Sequence, residues 1–237
     1  MNLDIKKELT LDKKTLIIAS LPDMGSVGGL VSSFLCNSLS TVHVASILSN
    51  EKPWASYSDG IVKNIIDTYK IHYNEKYNMI ILTGTTQPQE SLELKELCYT
   101  FLDYIHKISD IRLLYSSGGY LKTNLTGAPK VCGVVNNEKL KYVLKNAGIE
   151  FVGNEITTIT WFNGVILGTA LEYGIDGIGL FGEIPESNLP QPLAAKSILH
   201  ALANLEKIDL DTKSLDKEYE KVLESRYKEK ESSKFGG

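Results

Sequence analysis

The chain has 237 residues, 43% of them hydrophobic and 23% charged, with a formal net charge of −4. That length supports one large domain or two small ones with a sizeable core. No basic excess points to nucleic acid, and no apolar run approaches the roughly 18 residues that span a membrane.

The start, MNLDIKKELT, carries acids and does not read as a leader. Cys36, Cys98 and Cys132 are far apart and form no C-x-x-C, so they read as reduced thiols in a cytoplasmic protein rather than a zinc or redox site. TLIIAS (15–20) is a buried strand. After it, Val27, Leu30, Val31, Phe34, Leu35 and Leu39 fall on one face of a helix over 25–40. TVHVASIL (41–48) returns as a strand. Asp59-Gly60 marks a hairpin or edge extension within 57–71. NMIILTG (78–84) is a strand, and Pro88 leads into a helix over about 89–108.

IRLLYSSGG (111–119) and KVCGVV (130–135) continue the strands. Asn136 or Asn137 caps a short helix that Gly148 ends. IEFVG and ITTIT, within 149–160, read as short strands. A small-residue helix follows over 164–173, then the strand DGIGLFG (176–182), then a helix from Pro192. This alternation predicts an α/β fold of three layers, α/β/α, around a mostly parallel central sheet. The expected division is one α/β domain over 1–210 and a charged amphipathic helical extension with a flexible tail over 211–237. The stripe Leu215, Tyr219 and Val222 on that extension is a candidate surface for self-association or for a partner, as is the hairpin near Asp59–Lys63.

Three strand ends could converge on a polar pocket. Gly25 and Gly28 open a glycine-rich turn that lacks both G-x-G-x-x-G and a phosphate-loop lysine. Thr83 and Gln87 stand at a second strand end, and Glu183 at a third. Such a pocket would suit a small molecule such as a nucleoside or phosphate. Each feature also has a structural reading: close helix packing for Gly28, a helix entry for Gln87-Pro88, and a stiff turn for Glu183, Glu186, Pro190 and Pro192. The four histidines are scattered in no metal-binding pair. No catalytic constellation, metal set or cofactor motif emerges, so the chain reads as a non-enzyme without a cofactor.

The ordered series ILTGTTQPQ (81–89), NGVILGTALEYGIDGIGLFGEIPESNLPQPLAAKSILHAL (163–202) and W-x-x-Y-x-D-G (54–60) resembles the proteasome assembly chaperone family, including its archaeal homologues. The resemblance covers nearly all of 12–210. It implies a phosphorylase-like α/β fold without the activity, ATP-independent binding to proteasome α subunits or the α ring, and a homo-oligomer. In several members of that family a tail ending hydrophobic-Tyr-X docks between α subunits. Here the end is Phe235-Gly236-Gly237. Phe235 supplies the hydrophobic residue, and Gly236 stands where the tyrosine would be.

Overall fold

The computed structural model describes residues 1–50, 52, 55–122, 124–153 and 156–234, with side chains as far as Arg226. Phe235, Gly236, Gly237 and Trp54 therefore lie outside the described residues. The strands are β1 (Asn2–Ile5), β2 (Thr15–Ala19), β3 (Val42–Leu48), β4 (Ala55–Ser58), β5 (Ile61–Asn64), β6 (Thr68–Asn74), β7 (Met79–Thr83), β8 (Ile111–Leu121), β9 (Val131–Val135), β10 (Glu150–Phe151) and β11 (Gly177–Ile184). The helices are α1 (Val27–Ser38), α2 (Ser91–Ile108), α3 (Lys141–Asn146), α4 (Trp161–Glu172), α5 (Pro192–Glu206) and α6 (Lys213–Lys234).

Among the described residues nine strands form one sheet in the order β1-β3-β6-β7-β2-β8-β11-β9-β10. Its centre, β7-β2-β8-β11, is parallel. The flanks are mixed: β1, β3 and β6 run antiparallel to their neighbours, as β9 does to β11. The expected mostly parallel sheet is thus parallel only at its centre and at the β9–β10 pairing. Where β6 meets β7 the physical reason is the short connection: only residues 75–78 separate the two strands, and a link that short permits only an antiparallel pair.

Strand β2 is buried along its whole length, and its alternation divides the core. Ile17 and Ala19 face a layer with Leu97, Phe101 and Phe162 from α2 and α4. Leu16 and Ile18 face the opposite layer, with Val31 and Leu35 from α1 and Ala195, Ile198 and Leu202 from α5. The three-layer α/β/α expectation is met.

Helix α6 begins on this second layer. Leu215 is buried at 2% exposure within the core cluster that holds the α5 side chains, and Lys196 on α5 pairs with Asp216 at 2.7 Å. Leu215 is therefore covered by its own chain rather than offered to another subunit, which corrects its place in the expected stripe. Tyr219 and Val222 stay half-buried, lining a seam with Leu125, Pro129, Pro185 and Leu193. The apolar stripe spends itself on the chain's own loops because α5 already presents an apolar ridge beside it.

Two local expectations also change. Residues 156–160 form a loop rather than a strand, and α4 starts at Trp161 instead of Gly164. Strand β8 continues through Ser116, Ser117, Gly118 and Gly119 to Leu121, so the glycines lie inside the strand.

Candidate functional site

The carboxyl ends of the central parallel strands frame a cleft of about 370 Å³. Ligands in open α/β sheets bind in this position. Its wall includes Asp23 and Met24 after β2, Gln87 and Gln89 after β7, Gly119 and Tyr120 on β8, Phe181 on β11, and the run from Ile156 to Asn163 that leads into α4.

Asp23 is fixed by the turn between β2 and α1. Its Oδ1 accepts from the Gly28 N–H at 2.9 Å and its Oδ2 from the Gly119 N–H at 2.7 Å. Burial pushes the carboxyl up to about 6, and the two backbone hydrogen bonds reverse only part of that. Glycine makes the approach possible. A Cβ on Gly118 would collide with the Asp23 carboxylate and the Asn163 amide, and a Cβ on Gly119 with the Met24 carbonyl.

Asn163 is buried and accepts a hydrogen bond from the Ser116 hydroxyl through Oδ1. Below it, Ser20 and Ser117 share a hydrogen bond of 2.8 Å. Gln87 Oε1 accepts from the Phe162 N–H at 3.1 Å, tying the β7 end to the start of α4. At the mouth, Trp161 is half exposed and has a left-handed backbone, φ 54°. That conformation is an outlier for a bulky residue. The chain doubles back so tightly here that a Cβ on Gly164 would meet the Ile159 carbonyl.

Of the residues expected to form a strand-end pocket, only Gln87 lines this cleft. Gly28 is used for close packing, because a Cβ there would strike the Leu21 and Ser117 carbonyls. Gly25, at φ 63°, packs against Gln191 and exchanges backbone hydrogen bonds of 2.8 Å with the loop before α5. Thr83 ends β7 opposite Lys70. Glu183 lies in a separate surface depression with Lys130, Cys132 and Glu150. Its carboxylate pairs with Lys122 and accepts from the Lys130 N–H at 3.1 Å. Burial raises its affinity for a proton, but those hydrogen bonds and the lysine charges outweigh it and hold the carboxyl below its ordinary value. Glu183 thus staples the two ends of the 122–130 loop to β11, and Glu186 pairs with Arg226 of α6 at 2.9 Å. Glu183, which lies inside β11 rather than in the expected turn, and Glu186 are structural anchors with separate cations, and the expected convergence of Gly25, Gly28 and Glu183 with Gln87 does not occur.

The sequence reading missed Asp23, Trp161 and Asn163. The only signal at Asp23 was an acid between a buried strand and a glycine-rich turn, and that signal was read for its glycines alone.

The second exposed feature is a hairpin. The β4–β5 hairpin turns at Asp59-Gly60 with both φ angles positive, 51° and 79°, and every residue of its strands is exposed. Tyr57, Ile61 and Val62 are 74%, 58% and 67% exposed. Its stem is held by Lys52, which pairs with Glu93 of α2 at 2.6 Å and with Asp67 at 3.2 Å, and by hydrogen bonds between Ser49 and Asp67. The arm is anchored at its base and apolar toward its tip. Among the described residues no group of His, Cys, Asp and Glu could hold a metal ion, and no helix is long and apolar enough to cross a membrane.

Comparison with known proteins places these features in a family. An uncharacterized protein of Methanocaldococcus jannaschii, MJ1210, is 28% identical over 217 residues, covering 89% of this chain and 81% of that one. Among solved structures, Pyrococcus furiosus PbaB, described as an archaeal proteasome activator, superposes with a TM-score of 0.79 at 23% identity, covering 97% of this chain and 98% of PbaB. Pyrococcus furiosus PbaA, described as an archaeal homolog of proteasome-assembly chaperone, superposes at 0.77 and 19% identity, covering 98% and 93%. The fold is shared with both. The PAC2 family pattern matches residues 17–230, and the resemblance read from the strand-end motifs is borne out: this chain belongs to the PAC2 family.

Proposed function

We propose that this protein is an ATP-independent chaperone or adaptor that binds proteasome α subunits, or the ring they form, as a homo-oligomer in the cytoplasm. The observation that carries this reading is PAC2 membership over 17–230, joined to a fold shared with PbaA and PbaB. The hairpin arm supports it: an anchored two-stranded element with three large apolar side chains in solvent suits a protein partner better than it suits folding. Several arms or tails engaging one ring would gain from a raised effective concentration, so the oligomer would be functional.

Native mass spectrometry with proteasome α subunits from the same source tests the reading. The full chain is compared with a chain ending at Ser233 and with a Tyr57→Ser/Val62→Ser variant. A complex lost only on truncation assigns recognition to the tail with Phe235. A complex lost only in the hairpin variant assigns it to the arm. No complex with any form overturns the proposal.

A further inference from the structure

The proteasome reading makes no use of the cleft at the strand ends. We propose that this cleft is a binding site for a small, flat organic cation of the amidinium or guanidinium class, with Asp23 as its counter-ion and Trp161 and Phe181 against its apolar body.

Four observations carry this. First, the volume, about 370 Å³, lies within the range of small-molecule sites. Second, each Asp23 oxygen accepts one backbone N–H, which leaves further acceptor positions on the carboxylate, and no cation pairs with it among the described residues. Third, the rest of the wall is apolar or neutral. Met24, Ile156, Ile159, Trp161 and Phe181 supply surface, and the neutral amides of Gln87 and Asn163, whose oxygens already accept from the Phe162 N–H and the Ser116 hydroxyl, complete the wall. Among the described lining residues Asp23 is the only carboxylate, and none is a lysine, arginine or histidine. Fourth, Trp161 is held left-handed at the mouth. Stitching the β2–α1 turn to β8 explains why residue 23 is an acid, but it does not explain a strained, half-exposed tryptophan across an open cleft from it.

The raised proton affinity of Asp23 agrees with a partly buried, desolvated acid that pairs with no cation among the described residues, and it sets a pH signature. A cation binds the ionised form, so affinity is full about one unit above pH 6, half-maximal near it and declines below it.

The test is isothermal titration of the full-length protein with benzamidine and phenylguanidine, which remain protonated throughout, and with neutral benzamide. At pH 7.5 at least one cation is expected to bind more tightly than about 1 mM, and benzamide at least tenfold more weakly. At pH 5 the cation should bind about tenfold more weakly, as the ionised fraction falls. Asp23→Asn should abolish the pH dependence and most of the binding. If that variant does not fold, the wild-type pH series and the benzamide comparison decide alone. Absence of binding by both cations at 7.5, equal binding of benzamide, or affinity unchanged at pH 5 would each overturn the proposal. None of these outcomes bears on the complex with α subunits, so the two readings fail separately.

Discussion

Asp23 is a carboxylate that accepts from two backbone N–H groups and, among the described residues, pairs with no cation. In the folded chain it keeps its proton up to about pH 6, whereas the unfolded chain releases it near 3.8. Between those values the folded state binds more protons, so this group makes stability fall as pH rises, by about 3 kcal/mol across the window. His72 acts in the opposite sense. Burial, then the neighbouring His43 and Lys70, lower it to about 4, so its contribution rises with pH between about 4 and 6.5. The difference between wild type and Asp23→Asn isolates the aspartate. Urea midpoints at pH 4 through 7 should show the variant gaining on the wild type with rising pH, and parallel curves would refute the assignment. Gly28 gives a second prediction at this scale. Gly28→Ala should lower stability by about 1–3 kcal/mol, because both obstructing atoms are backbone carbonyls that cannot swing away. An unchanged urea midpoint would show that the β2–α1 turn is looser than described.

At the scale of elements, α6 departs from the role suggested by its composition, whereas the β4–β5 hairpin keeps the exposed position its sequence suggests. Helix α6 is charged, yet Leu215 is as buried as the central strands. Leu215→Ala should cost about 2–5 kcal/mol in denaturant unfolding, as for other core leucines, while a surface position would give less than about 0.5 kcal/mol. The hairpin strands mix apolar and polar residues without a buried face, and both faces meet solvent. Tyr57→Ser with Val62→Ser should therefore leave the thermal midpoint within about 2 °C of wild type for a change of that small size. A large drop would mean that the arm packs on its own chain. The sequence announced the turn itself, since Asp-Gly is among the few pairs that accept two positive φ angles. It could not announce that the ribbon stands off the sheet, because that depends on where β3, β6 and α2 place the stem residues Ser49, Lys52 and Asp67.

For the whole molecule, the proposed chaperone role requires more than one copy. Sedimentation equilibrium should give an integer multiple, above one, of 26.2 kDa. A variant held as a monomer should lose α-ring affinity by about 100-fold, because linked sites no longer share one ring. A monomer that binds the ring as tightly as the native assembly would separate chaperoning from self-association.

The sequence by itself determined the layers and the family. Hydrophobic period is a local property, so TLIIAS, NMIILTG and DGIGLFG identify buried strands, and the 3.6-residue stripes of α1, α2 and α5 identify their covers. Glycine and proline at strand ends, in that order along the chain, carried the resemblance for the same reason. Only the tertiary structure decided the sheet order, the antiparallel flanks and the site. Strand order places Gly119 of β8 beside the turn after β2, 96 residues away in the chain, and that contact makes Asp23 a cleft carboxylate. It sends Glu183, an equally prominent acid at a strand end, to Lys122 instead. An acid's environment is the sum of groups distant in sequence, and no local spacing encodes which of two such acids will be left without a cation.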